Sequence, residues 1–174
     1  MKRVFVDTGA WIGIAVARDQ VHEVAAAYAR HLATRNAPLL TTNYVLTEAY
    51  TRIRYDDGHG KALAFDALIQ EMTRRRQLSI GWVTPPLHAE ALALFRKYAD
   101  HEFSIVDCAS FVVARRHKVR DVFGFDSDFA AMGFVLRPSD HTGGHWPGTL
   151  AECLLPMRHW PSRLRRWDKA LRPF

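Results

Sequence analysis

Val4-Phe5-Val6-Asp7-Thr8-Gly9-Ala10-Trp11 opens with an apolar, partly β-branched run and stops abruptly at a carboxylate followed by Thr-Gly. A short apolar run bounded in this way reads as a buried strand, Arg3–Val6, passing straight into a helix. The same alternation recurs along the chain. His22–Arg35 carries Val24, Ala27, Tyr28, His31 and Leu32 at helical spacing, and Pro38 prevents its continuation. Leu39–Thr42 is a second short strand, after which Asn43 is placed to cap a helix over Tyr44–Tyr55 whose apolar face is Val45, Leu46, Ala49 and Ile53. Asp56-Asp57-Gly58 ends that helix, and Lys61–Arg76 forms another with Leu63, Ala67, Leu68 and Met72 on one face. A third strand over Leu78–Val83 precedes a helix opened by Pro85-Pro86, where the first amides need no intrahelical partner, and running to about Tyr98. Ser104–Lys118 reads as a helix, Asp121–Phe125 as a strand, Asp128–Met132 as a helical turn and Phe134–Arg137 as a last strand.

Strands alternating with longer helices imply an α/β fold of three layers, a mostly parallel sheet of about five short strands flanked by helices. In such sheets functional groups collect at the carboxyl ends of the strands. Asp7 and Asp126 each follow such an end.

The rest of the composition narrows the class. A length of 174 residues suits one well-packed domain, and 48% apolar with 24% charged residues is a globular mixture that excludes disordered and fibrous chains. Lys and Arg number 24 against 18 Asp and Glu, giving a net charge of +6 and a bias toward a polyanionic partner. Cys108 and Cys153 are too few for a disulfide scaffold. With no secretory signal and no apolar run approaching the roughly 20 residues that span a bilayer, a cytoplasmic protein with no membrane partner is expected. Beyond Pro138 the periodicity fades, so residues 1–138 are expected to form the domain and 139–174 a basic extension holding Trp146, Trp160 and Trp167. There Arg163, Arg165, Arg166, Lys169 and Arg172, interleaved with Trp160 and Trp167, fit either an RNA grip or an amphipathic packing segment. His141, His145, Cys153 and His159 are competent zinc ligands, but their spacing matches no closed zinc pattern.

Four segments carry carboxylates with two readings each. Asp7 could simply cap a helix. Glu48 could be an exposed partner of Arg52 one turn on. Asp107, in Ser104-Ile105-Val106-Asp107, has the form of a capping box. Asp126 and Asp128, in Phe125-Asp126-Ser127-Asp128-Phe129, could be a cap and a charge favourable to a helix dipole. What shifts the balance is the ordered set: a strand-end Asp, a helical Glu some forty residues on, an Asp in a late helix, and an Asp in a Phe-rich turn.

Residues 1–138 resemble PIN-domain nucleases, and more specifically the toxin subunits of VapBC-type toxin–antitoxin pairs. The stretches that carry the likeness are Phe5–Trp11, Thr42–Glu48, Phe103–Ser110 and Phe125–Phe129 with Gly133-Phe134 behind it. The resemblance implies a PIN-like fold, RNA cleavage with Mg²⁺ or Mn²⁺, and catalytic, metal-binding carboxylates at Asp7, Glu48, Asp107 and Asp126, with Asp128 as a fifth ligand. It also implies a homodimer, a small antitoxin partner and a structured RNA substrate such as tRNA or rRNA. One departure is Gly124, where relatives commonly carry a hydroxyl residue two positions before this Asp.

The chemistry is coherent. Crowded carboxylates repel one another and need neutralising by protons or cations. An all-oxygen ligand set suits Mg²⁺ or Mn²⁺, which can activate water and offset charge at a scissile phosphate. Thr8 and Ser104 are hydroxyl candidates for phosphate or water contacts. Arg74-Arg75-Arg76 is either a solvated helix end or a phosphate-contacting ridge. Asp7-Thr8-Gly9 occurs once, whereas an aspartic protease needs two such loops, and no Gly-rich phosphate loop is present. The reading is therefore a metal-dependent endoribonuclease and toxin. The alternatives are a PIN nuclease of RNA maturation without an antitoxin and a non-catalytic RNA-binding module.

Overall fold

Every side chain of β1 (Val4–Val6) is buried, as expected of a strand covered on both faces. It lies in the middle of a five-stranded, wholly parallel sheet of order β3-β2-β1-β4-β5. The computed structural model describes residues 2–139. Residues 140–174, with the basic and tryptophan-rich segment and the histidines and cysteine considered for zinc, lie outside the described residues. The elements run β1, α1 (Thr8–Ala15), α2 (His22–Thr34), β2 (Leu39–Thr42), α3 (Asn43–Arg74), β3 (Leu78–Gly81), α4 (Pro85–Lys97), α5 (Ile105–Arg116), β4 (Asp121–Phe123), α6 (Asp128–Ala131) and β5 (Val135–Arg137). This is the expected α/β arrangement.

Helices α1, α2 and α3 pack together, while α4 packs along α5, so right-handed crossovers leave one group on each face of the sheet. Between the α5 layer and the sheet lies a chain of aromatic rings, with Phe111 and Phe134 both against Phe129 and Phe129 against Phe5. The approach is close where α5 crosses β3: a Cβ on Gly81 would stand 2.6 Å from Val113 Cγ1, so only glycine fits.

The chain leaves β1 toward β2 and β3, then crosses back to β4 and β5. The strand order therefore reverses between β1 and β4, which pair through Phe5↔Val122 and Val6↔Phe123. A crevice opens at the carboxyl ends of two such strands, because their connections depart in opposite directions.

α3 folds back on itself. Gly58 has φ 86° and ψ 176°, outside the helical region and accessible without strain to glycine. The Tyr50 hydroxyl donates to Asp66 Oδ1 at 2.7 Å, and the Tyr50 and Phe65 rings lie 5.0 Å apart. In a straight helix those residues would be about 24 Å apart. The sequence expectation of two helices separated at Asp56-Asp57-Gly58 therefore describes the two arms of α3.

Several local expectations need correction. Thr42, still within β2, caps α3 by accepting from Val45 N at 3.0 Å, whereas the Asn43 side chain accepts from Val83 N at 2.7 Å and ties α3 to the end of β3. The second arm buries Phe65, Leu68, Ile69 and Met72, leaving Leu63 and Ala67 exposed, because folding back at Gly58 turns a different face toward the first arm. Strands β3 and β4 are shorter than expected, ending at Gly81 and Phe123.

Candidate active site

Asp7 extends the ladder of β1 by one residue, its amide donating to Phe123 O at 2.9 Å. The backbone then turns into α1, with Asp7 as N-cap and its Oδ2 accepting from Gly9 N at 3.4 Å. Only 6% of the residue is exposed. Burial pushes its carboxyl up to about 7, with the charges of Asp107 and Asp126 adding to the rise and the amides of Thr8 and Gly9 opposing it. The capping explanation and proximity to other carboxylates hold together, since a strand end at the switch point is also a helix start.

Asp126 and Asp128 follow β4, three and five residues beyond its last residue. The Asp126 carboxylate accepts from Asp128 N at 2.9 Å, a local turn that sets both side chains toward one point. Asp107 reaches that point from α5. Its place is fixed by a full capping box: Oδ2 accepts from Ser104 N at 2.8 Å and from Ser104 Oγ at 2.6 Å, while Ser104 Oγ accepts from Asp107 N at 3.1 Å. Single carboxylate oxygens of Asp107, Asp126 and Asp128 all lie within 4.8 Å of one another. Burial raises the Asp107 pKa, with Asp126 and Glu48 adding to the rise and the Ser104 hydrogen bonds opposing it. The Asp128 pKa is raised by burial and by Asp126, with His101 pulling the other way.

Glu48 approaches from the first arm of α3 and accepts the Thr8 hydroxyl at 2.6 Å. Among the described residues no ion pair joins it to Arg52, so the exposed-pair reading fails. Asp7 and Glu48 stand outside the tight group of three and act on Asp107 and its neighbours through charge. The set thus consists of three clustered carboxylates on α5 and the β4–α6 turn, with Asp7 and Glu48 beside them.

The two hydroxyls singled out from sequence, Thr8 and Ser104, each donate to a carboxylate, Glu48 and Asp107. In this geometry they orient acids and are not free donors to a phosphate. Arg74, Arg75 and Arg76 are not brought to the acids. They precede β3 and lie at the amino ends of the parallel strands, at least a strand length, about 10 Å, from the carboxyl ends. Arg74 is further committed to Glu71 by a bidentate pair at 2.8 Å, and Arg75 also bonds Glu71.

Gly124 was marked in the sequence as a departure from relatives but not as a neighbour of Asp7, and the turn before α5 was missed. Gly124 lies against Asp7, where a Cβ would stand 3.2 Å from Asp7 Cβ and 3.6 Å from its Oδ2. His101 and Glu102, in the turn before α5, act electrostatically on Asp128. No periodic signal marks a short turn of this kind.

The family model for the PIN domain matches residues 4–135. The 23S rRNA-specific endonuclease VapC20 of Mycobacterium tuberculosis, from strains CDC 1551 / Oshkosh and ATCC 25618 / H37Rv, is 33% identical over 136 residues, covering 78% of this chain and 98% of the relative. The crystal structure of Mycobacterium tuberculosis VapC20, described as a sarcin-ricin loop cleaving toxin, matches with a TM-score of 0.67 at 32% identity, covering 76% of this chain and 96% of that one.

Proposed function

The chain belongs to the PIN-domain family, and on that premise we propose that it is a metal-dependent endoribonuclease and the toxin of a VapBC-type pair. The observation that carries this reading is the convergence of Asp107, Asp126 and Asp128 within 4.8 Å, beside buried Asp7, at the switch point of the sheet.

The donor set fits a hard divalent cation: all its atoms are carboxylate oxygens, and the charges of Asp107 and Asp126 add to the rise that burial gives the Asp7 pKa. Asp107, Asp126 and Asp128 would hold Mg²⁺ or Mn²⁺ directly, with Asp7 and Glu48 as direct or water-mediated ligands. Bound there, such an ion supplies Lewis-acid polarisation of a phosphoryl oxygen and a lowered pKa for a water. Ser104 and Thr8 hold Asp107 and Glu48 in place for that task. Burial raises the Asp7 pKa, so holding a cation there would be coupled to loss of a proton from Asp7. Asp7 is itself only 6% exposed, so little water reaches its carboxyl.

The substrate class is structured ribosomal RNA, in the first instance the 23S rRNA that VapC20 is named for. A small antitoxin would inhibit by placing a basic side chain among the carboxylates. The active form is a cytoplasmic homodimer. Among the described residues no helix is long and apolar enough to cross a membrane.

The test is cleavage of ribosomes and of naked 23S rRNA, read by primer extension, with Mn²⁺, with chelator, and with Asp126→Asn. Discrete cuts that need both metal and Asp126 support the reading. Intact RNA under all conditions would leave an RNA-binding module. Cutting without growth arrest on expression would favour a maturation nuclease over a toxin.

A further inference from the structure

We propose that Arg52 and Tyr55, on the exposed face of the first arm of α3, form the track for the RNA strand beside the cut, Arg52 taking a backbone phosphate and Tyr55 stacking on an unpaired base. This rests on the ribonuclease reading above and adds the residues that would hold its substrate.

Helix geometry places them. At about 100° per residue, Glu48 and Tyr55 project within about 20° of one another, and Arg52 about 40° to the side. Along the axis Arg52 lies about 6 Å and Tyr55 about 10 Å from Glu48, one or two nucleotides from the carboxylates. Since Glu48 bonds Thr8, Arg52 is left without an ion-pair partner among the described residues. Tyr55 is 84% exposed, the most exposed of the large apolar and aromatic side chains described. An unpaired cation beside a bare aromatic ring is the combination that grips single-stranded nucleic acid through charge and stacking.

The arm is also braced. Its base is held by the Thr42 cap and by Asn43 on Val83 N, its middle by Tyr50 on Asp66 and Phe65, and its tip by Arg18, whose Nε donates to Asp57 Oδ1 at 3.0 Å. A platform fixed at both ends loses little freedom when a ligand binds, which suits a contact surface.

The experiment compares wild type with Tyr55→Ala, Tyr55→Phe and Arg52→Gln on three readouts: Kd for a fluorescein-labelled RNA stem-loop by anisotropy across a salt series, hydrolysis of bis(p-nitrophenyl) phosphate with Mn²⁺, and molar mass by light scattering. Tyr55→Ala should weaken RNA binding about tenfold, with Tyr55→Phe close to wild type. Arg52→Gln should reduce the slope of log K against log salt by about one phosphate contact. Hydrolysis of the small diester, which reaches only the carboxylates, should be unchanged in all three. Unaltered RNA affinity in Tyr55→Ala overturns the proposal, as does a change in molar mass alone, which would make the face a protein interface. Failure of wild type to hydrolyse either RNA or the small diester would count against the nuclease reading instead, while the anisotropy still decides the role of Tyr55.

Discussion

Thr8 donates its hydroxyl to Glu48 Oε2 across 2.6 Å, joining the first turn of α1 to the first arm of α3 over 40 residues of chain. Thr8 is buried and Glu48 half-buried, so this is a charge-assisted bond partly shielded from water. Thr8→Ala should cost about 1–3 kcal/mol in urea unfolding and weaken Mn²⁺ binding, because the carboxylate loses its orienting donor. Thr8→Ser, keeping the hydroxyl, should recover most of both. Equal behaviour of the Ala and Ser variants would show that the hydroxyl does not position Glu48.

Gly124 leaves Asp7 its space. A methyl group there meets Asp7 Cβ at 3.2 Å, and the neighbour is at a strand end where the backbone is held by Asp7 N to Phe123 O. Gly124→Ala should therefore lower stability by about 1–3 kcal/mol and slow RNA cleavage by displacing Asp7. Gly124→Ser adds a donor near Asp7 Oδ2, so it should bring the Asp7 titration below that of the Ala variant. Carboxyl NMR of the three proteins reads this directly, and identical Asp7 titrations in Ala and Ser would refute it.

The acidic set was legible because strand ends and helix starts are sharply marked in sequence. Val4-Phe5-Val6 followed by Asp7, and Ser104 three residues before Asp107, announce their own backbone conformations. The Ser104–Asp107 capping box was legible too, but hydrogen-bond partners at element junctions and between elements were not. Thr42 displaced Asn43 as the cap because the strand leads into the helix with no intervening residue, and Asn43 was then free to bind Val83 N. Glu48 could be paired with Arg52 by spacing alone, but Thr8 competes only once α1 packs on α3. For the same reason the arginine run looked available until its fold position, at the opposite strand ends and against Glu71, was known. Periodicity reports which face is buried within one element; it carries nothing about what a second element brings.

Stability should depend on pH through Asp7. Its folded pKa is about 7 against an ordinary value of 3.8, so between those limits the folded state binds more protons than the unfolded one. Stability in chelator therefore falls as pH rises from about 4 to about 7. Asp7→Asn removes the titrating group, so the variant should gain on wild type across that window by a few kcal/mol, the integral of the shift. Urea unfolding of both proteins from pH 4 to 8 reads this, the difference carrying Asp7 and its coupling to Asp107 and Asp126 while groups remote from the site cancel. A constant difference between the two curves would mean that Asp7 is not destabilised as a carboxylate.

Carboxylates from the end of β1, α3, α5 and the β4–α6 turn should act as one cation site. Thermal unfolding near pH 7.5, in chelator and in Mn²⁺ at a hundredfold excess over its dissociation constant, tests it most directly for wild type, Asp107→Asn and Asp126→Asn. One site predicts a stabilisation of wild type by about 2.7 kcal/mol that is largely lost in both variants. Equal stabilisation of all three proteins, or none in wild type, would contradict it.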